Sequence, residues 1–326
     1  MSDLVATSQD AIAQGSQSFA QAARLMPPGI REDTVMLYAW CRHADDVIDG
    51  QVLGHAVAAE AAADPAVRLA DLRACTQAAL HEDGPLAPPF AALRAVARRH
   101  DFPDEWPMDL IRGFEMDVTA RDYHSLDDVL DYAYHVAGVV GVMMARVMGV
   151  RDAATLDRAC DLGLAFQLTN IARDVMDDAR LGRSYLPADW LRAAGAPPAT
   201  AAGPAGAVPD AATYGVILRL LEAAEPYYDS ARAGLAALPP RCAWSIAAAL
   251  RIYRAIGQRI RAGGPGAYRS RISTSKAAKL ALVGRGGWDM AASRLRPVRA
   301  SRAGLWTRPG GVAEPPAPDQ ALRATR

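Results

Sequence analysis

Two short stretches of the sequence carry aspartates four residues apart, Asp45 and Asp49 in the first and Asp174 and Asp178 in the second. On an α-helix, positions i and i+4 lie one above the other, so each pair presents two carboxylates on one face. Both stretches are otherwise apolar, and like charges in such surroundings repel each other. The pattern therefore predicts a hard divalent cation at each pair. Two such sites suggest a diphosphate held by Mg²⁺.

The first acidic pair belongs to a longer polar stripe. Tyr38, Arg42, Asp45 and Asp49 are spaced 4, 3 and 4 residues apart and share one helix face, whereas Asp46 lies to the side. A solvated helix face with a weak Arg–Asp pair is the alternative explanation. The neighbouring residues argue against a solvated face, because they are mostly apolar: Leu37, Ala39, Trp40, Cys41, Val47 and Ile48.

The second acidic pair has a similar stripe around it. The stripe consists of Gln167, Asn170, Asp174 and Asp178, spaced 3, 4 and 4 residues apart. Two amides and two carboxylates on one face are suitable oxygen ligands and water holders for Mg²⁺, although a solvated surface remains an alternative. Arg173 lies beside the stripe, and the following turn adds Arg183 and Tyr185, which a bound anion could order.

Cation sites that bind a diphosphate point to a reaction class. Removal of the diphosphate from an allylic carbon leaves a carbocation, which apolar and aromatic walls must shield from water. A helical bundle with a closed apolar interior can supply those walls.

Composition restricts the class of protein. The chain has 326 residues, of which 51% are hydrophobic, and its 36 basic and 36 acidic residues argue against a nucleic-acid surface. Four cysteines without metal-ligand spacing indicate a reduced compartment. No positively charged N-terminal region precedes an apolar run, and the longest uncharged apolar stretch, 136–145, is too short to span a bilayer. We therefore expect a cytoplasmic protein.

Apolar residues recur at helical spacing along almost the whole chain, so the sequence predicts an all-α, single-domain protein. Gly and Pro clusters and capping residues place the helices at 10–25, 32–49, 65–80, 88–100, 103–118, 125–148, 153–179, 211–238, 241–262 and 273–283. The catalytic domain is expected to cover 1–296, with a flexible Ala/Pro/Gly-rich excursion at about 193–212. Residues 297–326 are expected to form a disordered tail.

These motifs resemble those of the squalene/phytoene synthase family, and most closely those of its bacterial members in carotenoid biosynthesis. The matching segments are 15–19, 38–50, 132–141, 167–187 and 271–277, so the resemblance covers nearly the whole chain. It implies an isoprenoid synthase-type helical bundle around a central apolar cavity. It also implies a prenyltransferase that condenses two geranylgeranyl diphosphates head to head, through a cyclopropyl diphosphate, into phytoene.

The resemblance also implies roles for individual residues. One diphosphate would be bound through Mg²⁺ or Mn²⁺ on Asp45 and Asp49, with Arg42 and Tyr38 beside it. The other would be bound through Asn170, Asp174 and Asp178, with no need for NADPH. Further matching positions are assigned to substrate binding or catalysis: Ser16 and Ser18 in an N-terminal flap, Tyr132, Gln167, Arg173, Arg183, Tyr185, Tyr253 and Arg271. For Ser16 and Ser18, an ordinary polar helix turn is an equally good explanation.

Three other functions remain open. Residues 45–49 also fit the D-D-x-x-D pattern of chain-elongating prenyl diphosphate synthases and terpene cyclases. A thirty-carbon enzyme would make squalene or dehydrosqualene from farnesyl diphosphate, and would differ mainly in cavity length. A non-catalytic helical interaction protein would use the acidic stripes for structural metal. Because substrate and product are lipidic, we also expect weak peripheral contact with the cytoplasmic membrane and possible transfer of product to a desaturase.

Overall fold

The computed structural model confirms the all-α class. It describes residues 4–5, 7–9, 22–49, 51–52, 55–56, 64–197, 206–270, 272, 275–296 and 298–312. The helices are α1 (Pro28–Asp49), α2 (Pro65–His81), α3 (Pro88–His100), α4 (Glu105–Val118), α5 (Leu126–Ala133), α6 (Val139–Val147), α7 (Ala153–Arg180), α8 (Ala188–Ala193), α9 (Ala211–Gly234), α10 (Pro240–Gly263) and α11 (Lys276–Leu295). A two-residue antiparallel pair joins β1 (Gln51–Val52) to β2 (His55–Ala56).

Most of the helix predicted at 10–25 lies outside the described residues, as do 198–205 of the predicted excursion. Within that excursion, α9 begins at Ala211, with the Asp210 side chain accepting a hydrogen bond from Thr213 N. None of the described helices combines the length and the apolar run needed to cross a bilayer.

The single helix predicted at 125–148 is divided into three parts. A π-helical segment, Tyr134–Gly138, separates α5 from α6. Ser125 and Asp128 form the capping box that opens α5, as the sequence predicts. The π-helical segment widens the helix where it passes α7, and π-helical turns are often found at functional sites.

Helix α7 passes through the centre of the bundle and packs against α6, α9, α10 and the π-helical segment. The approach to that segment depends on Gly163, where an added Cβ atom would lie 2.6 Å from the Ala137 carbonyl carbon. A side chain at this position would therefore push the two backbones apart. This close contact fixes the position of α7 relative to the π-helical segment, and with it the position of the second acidic stripe.

Replacement of Gly163 with alanine is expected to destabilise the protein by about 1–3 kcal/mol, because the added methyl group overpacks a backbone contact. Gly215→Ala is the matched control: it is also a helical glycine, but an added Cβ there meets no atom within 4 Å. Denaturant unfolding should show Gly215→Ala as neutral or slightly stabilised. Equal stabilities of the two variants would contradict the packing role of Gly163.

The C-terminal segment 298–312 differs from the expected disordered tail. Arg302 is 4% exposed and donates hydrogen bonds from Nε and Nη2 to the two carboxylate oxygens of Asp161, at 2.7 and 2.9 Å. Arg308 Nε lies 2.7 Å from Asp157 Oδ1, and Val312 N donates to Asp157 Oδ2. Two buried carboxylates of α7 thus bind this Arg-rich segment, which composition alone does not indicate.

Candidate active site

A cavity of about 480 Å³ lies inside the bundle. Most of its wall is apolar and comes from α4, the π-helical segment, α6, α7, α9 and α10. Its polar lining residues include seven of the predicted site residues and one that was not predicted: Tyr38, Arg42, Asp45, Tyr132, Gln167, Asn170 and Tyr253, and in addition Asp117. The structure therefore brings members of both predicted stripes to one apolar cavity.

On α1, Arg42 organises the first acidic stretch. Its Nη1 donates to Asp45 Oδ2 at 3.0 Å, and its Nη2 lies 2.8 Å from Asp46 Oδ1. Asp46 is buried, with 8% of its side chain exposed, whereas 47% of the Asp45 side chain is exposed. Asp46 therefore serves as a buried partner of the guanidinium, and Asp45 remains accessible from the cavity.

Ionisation of the first acidic pair is unfavourable without a cation. Burial against the cavity wall, the neighbouring Asp49 and other nearby carboxylates raise the pKa of Asp45 to about 6, although Arg42 opposes the shift. The walls exclude much of the surrounding water even though part of the side chain is exposed. Two carboxylates that resist joint ionisation form a natural site for an added positive charge.

The second acidic stretch, on α7, shows the same electrostatic pattern. Burial, followed by the charge of Asp174, raises the pKa of Asp178 to about 7. Arg173 Nε donates to Asp174 Oδ1 at 2.7 Å, so this arginine is paired with the stripe beside which the sequence placed it. Asn170 Nδ2 donates to Gln167 Oε1 at 3.4 Å. The Asn170 Oδ1 atom is buried and has no hydrogen-bond partner among the described residues, so it is available as a ligand.

The turn after α7 brings a side chain close to the other acidic helix, α1. Gly182 adopts a φ of 73°, in the left-handed region that glycine tolerates, and so reverses the chain at the end of the helix. Arg183 Nη1 then lies 3.7 Å from Asp49 Oδ1 on α1. A bound anion between the helices would thus meet a guanidinium shared by both.

Asp117, at the end of α4, is the site residue that the sequence analysis missed. Its Oδ1 accepts a hydrogen bond from Tyr185 Oη at 2.8 Å, and its Oδ2 accepts one from Tyr132 Oη at 3.1 Å. Its charge contributes to the raised pKa values of both Asp45 and Asp178, so it lies within electrostatic reach of both acidic helices.

A sequence signal for Asp117 did exist. Leu110, Phe114 and Asp117 are spaced 4 and 3 residues apart, so the carboxylate continues the apolar face of α4, and all three line the cavity. A charged residue on a buried helix face is itself a candidate for function.

A cluster of tyrosines surrounds the Asp117 carboxylate. The Tyr132 and Tyr185 rings are stacked with centroids 4.9 Å apart, and the Tyr123 ring lies within 5.6 Å of both. Burial, followed by the Asp117 charge, raises the pKa of all three phenols, which therefore remain protonated. Elsewhere on the cavity wall, Tyr253 stacks on Phe166 with centroids 4.0 Å apart. Aromatic faces thus flank the polar part of the cavity.

The acidic residues form two pairs, each of which can supply part of a Mg²⁺ coordination shell, and they do not form a complete metal site by themselves. Among the described residues, no three His, Cys, Asp or Glu side chains are arranged closely enough to hold a metal ion by themselves. Mg²⁺ usually takes one or two carboxylates and keeps its other positions for water and substrate phosphates. The Asn170 Oδ1 atom and the two aspartate pairs, in which the pKa of Asp45 and of Asp178 is raised, match that donor set.

Three predicted substrate-binding residues, Ser16, Ser18 and Arg271, lie outside the described residues. Asp49, Arg173, Asp174, Asp178, Arg183 and Tyr185 do not line the cavity itself. Hydrogen bonds, ion pairs and charge interactions connect these six residues to the residues that line the cavity.

The sequence and the fold were compared with known proteins. The model of the family described as squalene/phytoene synthase matches residues 12–278. The chain is 74% identical over 309 residues to a 15-cis-phytoene synthase of Paracoccus sp. (strain N81106 / MBIC 01143), covering 95% of this chain and 99% of that protein. It is 48% identical to a 15-cis-phytoene synthase of Pantoea ananas, with 92% and 96% covered. A dehydrosqualene synthase crystal structure superposes with a TM-score of 0.77 at 23% identity, covering 89% of this chain and 98% of that one.

Proposed function

The chain belongs to the squalene/phytoene synthase family, as its motifs predicted, and we propose that it is a Mg²⁺-dependent prenyltransferase of the 15-cis-phytoene synthase type. It condenses two geranylgeranyl diphosphates head to head, through a cyclopropyl diphosphate, to phytoene for carotenoid biosynthesis. The observation that carries this proposal is that the polar stripes of α1 and α7, each with its pair of aspartates, both reach one aromatic-walled, apolar cavity, α1 through Asp45 and α7 through Gln167 and Asn170. The high identity to relatives named phytoene synthases supports it.

The residues of this chain divide the work between the diphosphates and the prenyl chains. Asp45 and Asp49 on α1, and Asn170, Asp174 and Asp178 on α7, would hold Mg²⁺, which supplies positive charge to the departing diphosphates. Arg42 and Arg183 lie beside these carboxylates and can donate to phosphate oxygens. The apolar wall holds the prenyl chains and excludes water from the carbocation.

The phenols of Tyr132 and Tyr253 have a separate role. Both line the cavity, where Tyr132 is buried and Tyr253 is half-buried, and desolvation raises the pKa of each. Neutral phenols expose an electron-rich ring and an oxygen to the carbocation without introducing a nucleophilic anion. We assign Tyr132 to stabilising and orienting the reacting carbons, together with Tyr185, to which it is stacked.

Cavity length favours the twenty-carbon substrate. Thr155 and Asn170 both line the cavity from α7, and the rise of an α-helix separates them by about 22 Å. With ordinary carbon–carbon bond lengths, an extended prenyl chain measures roughly 5 Å per isoprene unit. Geranylgeranyl, with four units, therefore fits this wall more completely than farnesyl, with three.

Product analysis tests this assignment. Purified protein is incubated with geranylgeranyl diphosphate or farnesyl diphosphate, with Mg²⁺, Mn²⁺ or EDTA, and with or without NADPH. We expect phytoene in the organic extract from the first substrate, dependence on a divalent cation, and no change with NADPH. If only farnesyl diphosphate is converted, to a thirty-carbon hydrocarbon, the protein is a squalene or dehydrosqualene synthase instead. Release of diphosphate from neither substrate would favour a metal-binding interaction protein.

Membrane contact and transfer of product to a desaturase complete the proposal. Geranylgeranyl diphosphate is an amphiphile and phytoene is a hydrocarbon, so a protein that contacts the bilayer at its surface avoids moving either through water. Both expectations concern the cytoplasmic face of the membrane.

A further inference from the structure

The outer face of α11 is apolar and exposed. Leu280, Trp288 and Leu295 are 75%, 75% and 83% exposed, and they lie on one side of the helix with the exposed small residues Gly284 and Ala291 between them. The spacing along this stripe is 4, 4, 3 and 4 residues, so it continues for four turns. Large apolar side chains exposed together along a helix mark a contact surface more often than an ordinary solvated face.

The opposite side of α11 is firmly attached to the protein. Trp244 Nε1 donates to Val283 O at 2.8 Å, and an added Cβ atom on Gly286 would lie 2.7 Å from Ala248 N on α10. Asp289 is 5% exposed and accepts a hydrogen bond from Arg251 Nη2 at 2.7 Å. The helix is therefore fixed in its orientation, and the apolar stripe is its free side.

Charge around the stripe has one sign. Between residues 240 and 312 the sequence holds fifteen of the 36 Lys and Arg residues but a single acidic residue, the buried Asp289. Some of these arginines pair with acids of α7 and α9. Arg285, Arg296 and Arg299, in contrast, are exposed, and within the described part of the chain their side chains make no ion pair or hydrogen bond. Positive side chains thus border an apolar face that lacks negative charge.

We propose that this face, defined by Leu280, Trp288, Leu295 and the bordering Arg285, Arg296 and Arg299, docks the protein on an anionic lipid bilayer. Leu and Trp side chains enter the headgroup boundary of a bilayer, and Trp favours that depth. Exposed arginines are attracted by acidic lipid headgroups. A second copy of the chain is a poorer occupant, because it would bring the same unpaired arginines together.

This inference gives a location to the membrane contact included in the proposed function, and the two can fail separately. Docking is measured without substrate, whereas catalysis is measured in detergent micelles without a bilayer. Protein that binds vesicles but releases no phytoene would contradict the proposed function alone. Protein that makes phytoene but does not bind vesicles would contradict the docking surface alone.

Flotation with phospholipid vesicles tests the surface. Wild-type protein is expected to float with vesicles of phosphatidylcholine and phosphatidylglycerol, and less with phosphatidylcholine alone or at high salt. The double variant Leu280→Gln/Trp288→Gln should lose about tenfold in partitioning to anionic vesicles. The matched control is Val67→Gln, which replaces an apolar side chain that is 51% exposed on α2 and should bind like the wild type.

A charge variant separates the two contributions. Arg285→Gln/Arg296→Gln/Arg299→Gln should keep weak binding but lose the preference for anionic vesicles. Both multiple variants should retain wild-type turnover in detergent, since none of the five substituted positions contributes to the cavity or to the acidic stripes. Unchanged flotation of the double variant would overturn the proposal. So would light scattering that shows a dimer dissociated by the same variant, since that result assigns the face to a second copy.

Discussion

Replacement of Asp174 with alanine is expected to lower kcat by on the order of 10³-fold, because it removes one of the carboxylates that hold positive charge against a departing diphosphate. Asp45→Ala on α1 should have a comparable effect. The loss should appear in kcat more than in KM, since the charge that develops on the diphosphate is greatest in the transition state.

The matched control for Asp174→Ala lies three residues further along the same helix. Asp177 has 66% of its side chain exposed and is paired with Arg180, away from the stripe formed by Asp174 and Asp178. Asp177→Ala removes the same chemical group and should change turnover little. Substantial activity in Asp174→Ala, or an equal loss in the control, would disprove the metal-binding role.

The fold should survive the loss of Asp174. In EDTA, burial and the Asp174 charge raise the pKa of Asp178 to about 7, so its ionised form costs stability at pH 8; that cost decreases as the pH falls below 7 and is absent below the ordinary pKa of 3.8. Without the Asp174 charge that cost is smaller, and Arg173 still interacts with Asp178. At pH 8 the Tm of Asp174→Ala in EDTA should therefore equal or exceed that of the wild type, with a smaller difference at pH 5.

Thermal shifts also test metal binding without turnover. Mg²⁺ together with inorganic diphosphate should raise the Tm of wild-type protein, since a ligand that binds only the folded state stabilises it. Asp177→Ala should show the same increase, whereas Asp174→Ala should show little. An undiminished increase in Asp174→Ala would mean that the diphosphate is bound elsewhere.

Helical spacing predicted much of this site, but spacing alone is an ambiguous signal. Helix α7 carries another pair of aspartates four residues apart, Asp157 and Asp161, which are 1% and 0% exposed. Their charge is balanced by Arg302 and Arg308 from the C-terminal segment. The sequence could predict that paired carboxylates need a cation, but the fold decides whether an arginine or a metal ion supplies it.

Local sequence periodicity could not predict features that depend on contacts between residues distant in sequence. The last predicted helix ends at residue 283, where glycines accumulate, whereas α11 continues to Leu295. Contacts with α10 override the low helix propensity of Gly284, Gly286 and Gly287. Spacing could place Asp117 on the apolar face of α4, but it could not predict the hydrogen bonds from Tyr132 and Tyr185, which lie 15 and 68 residues away in sequence.

Substitution of Asp117 with asparagine is expected to lower kcat by about 10²-fold with little change in KM, because Asp117 positions groups that meet the reacting carbons. The carboxylate accepts hydrogen bonds from the hydroxyls of both Tyr132 and Tyr185. Each phenol must then direct its oxygen lone pairs away from Asp117. An amide of the same shape donates as well as accepts, so it cannot hold both hydroxyls in this orientation.

The coupling between Asp117 and Tyr132 distinguishes positioning from a general loss of structure. If Asp117 acts through the phenol, Tyr132→Phe should reduce kcat similarly, and the double variant Asp117→Asn/Tyr132→Phe should be no slower than the slower single variant. Asp104→Asn, which changes an exposed carboxylate at the other end of α4, should behave as wild type. Multiplicative losses in the double variant would mean that the two residues act independently, and Asp117 would then contribute through its own charge between the two acidic helices.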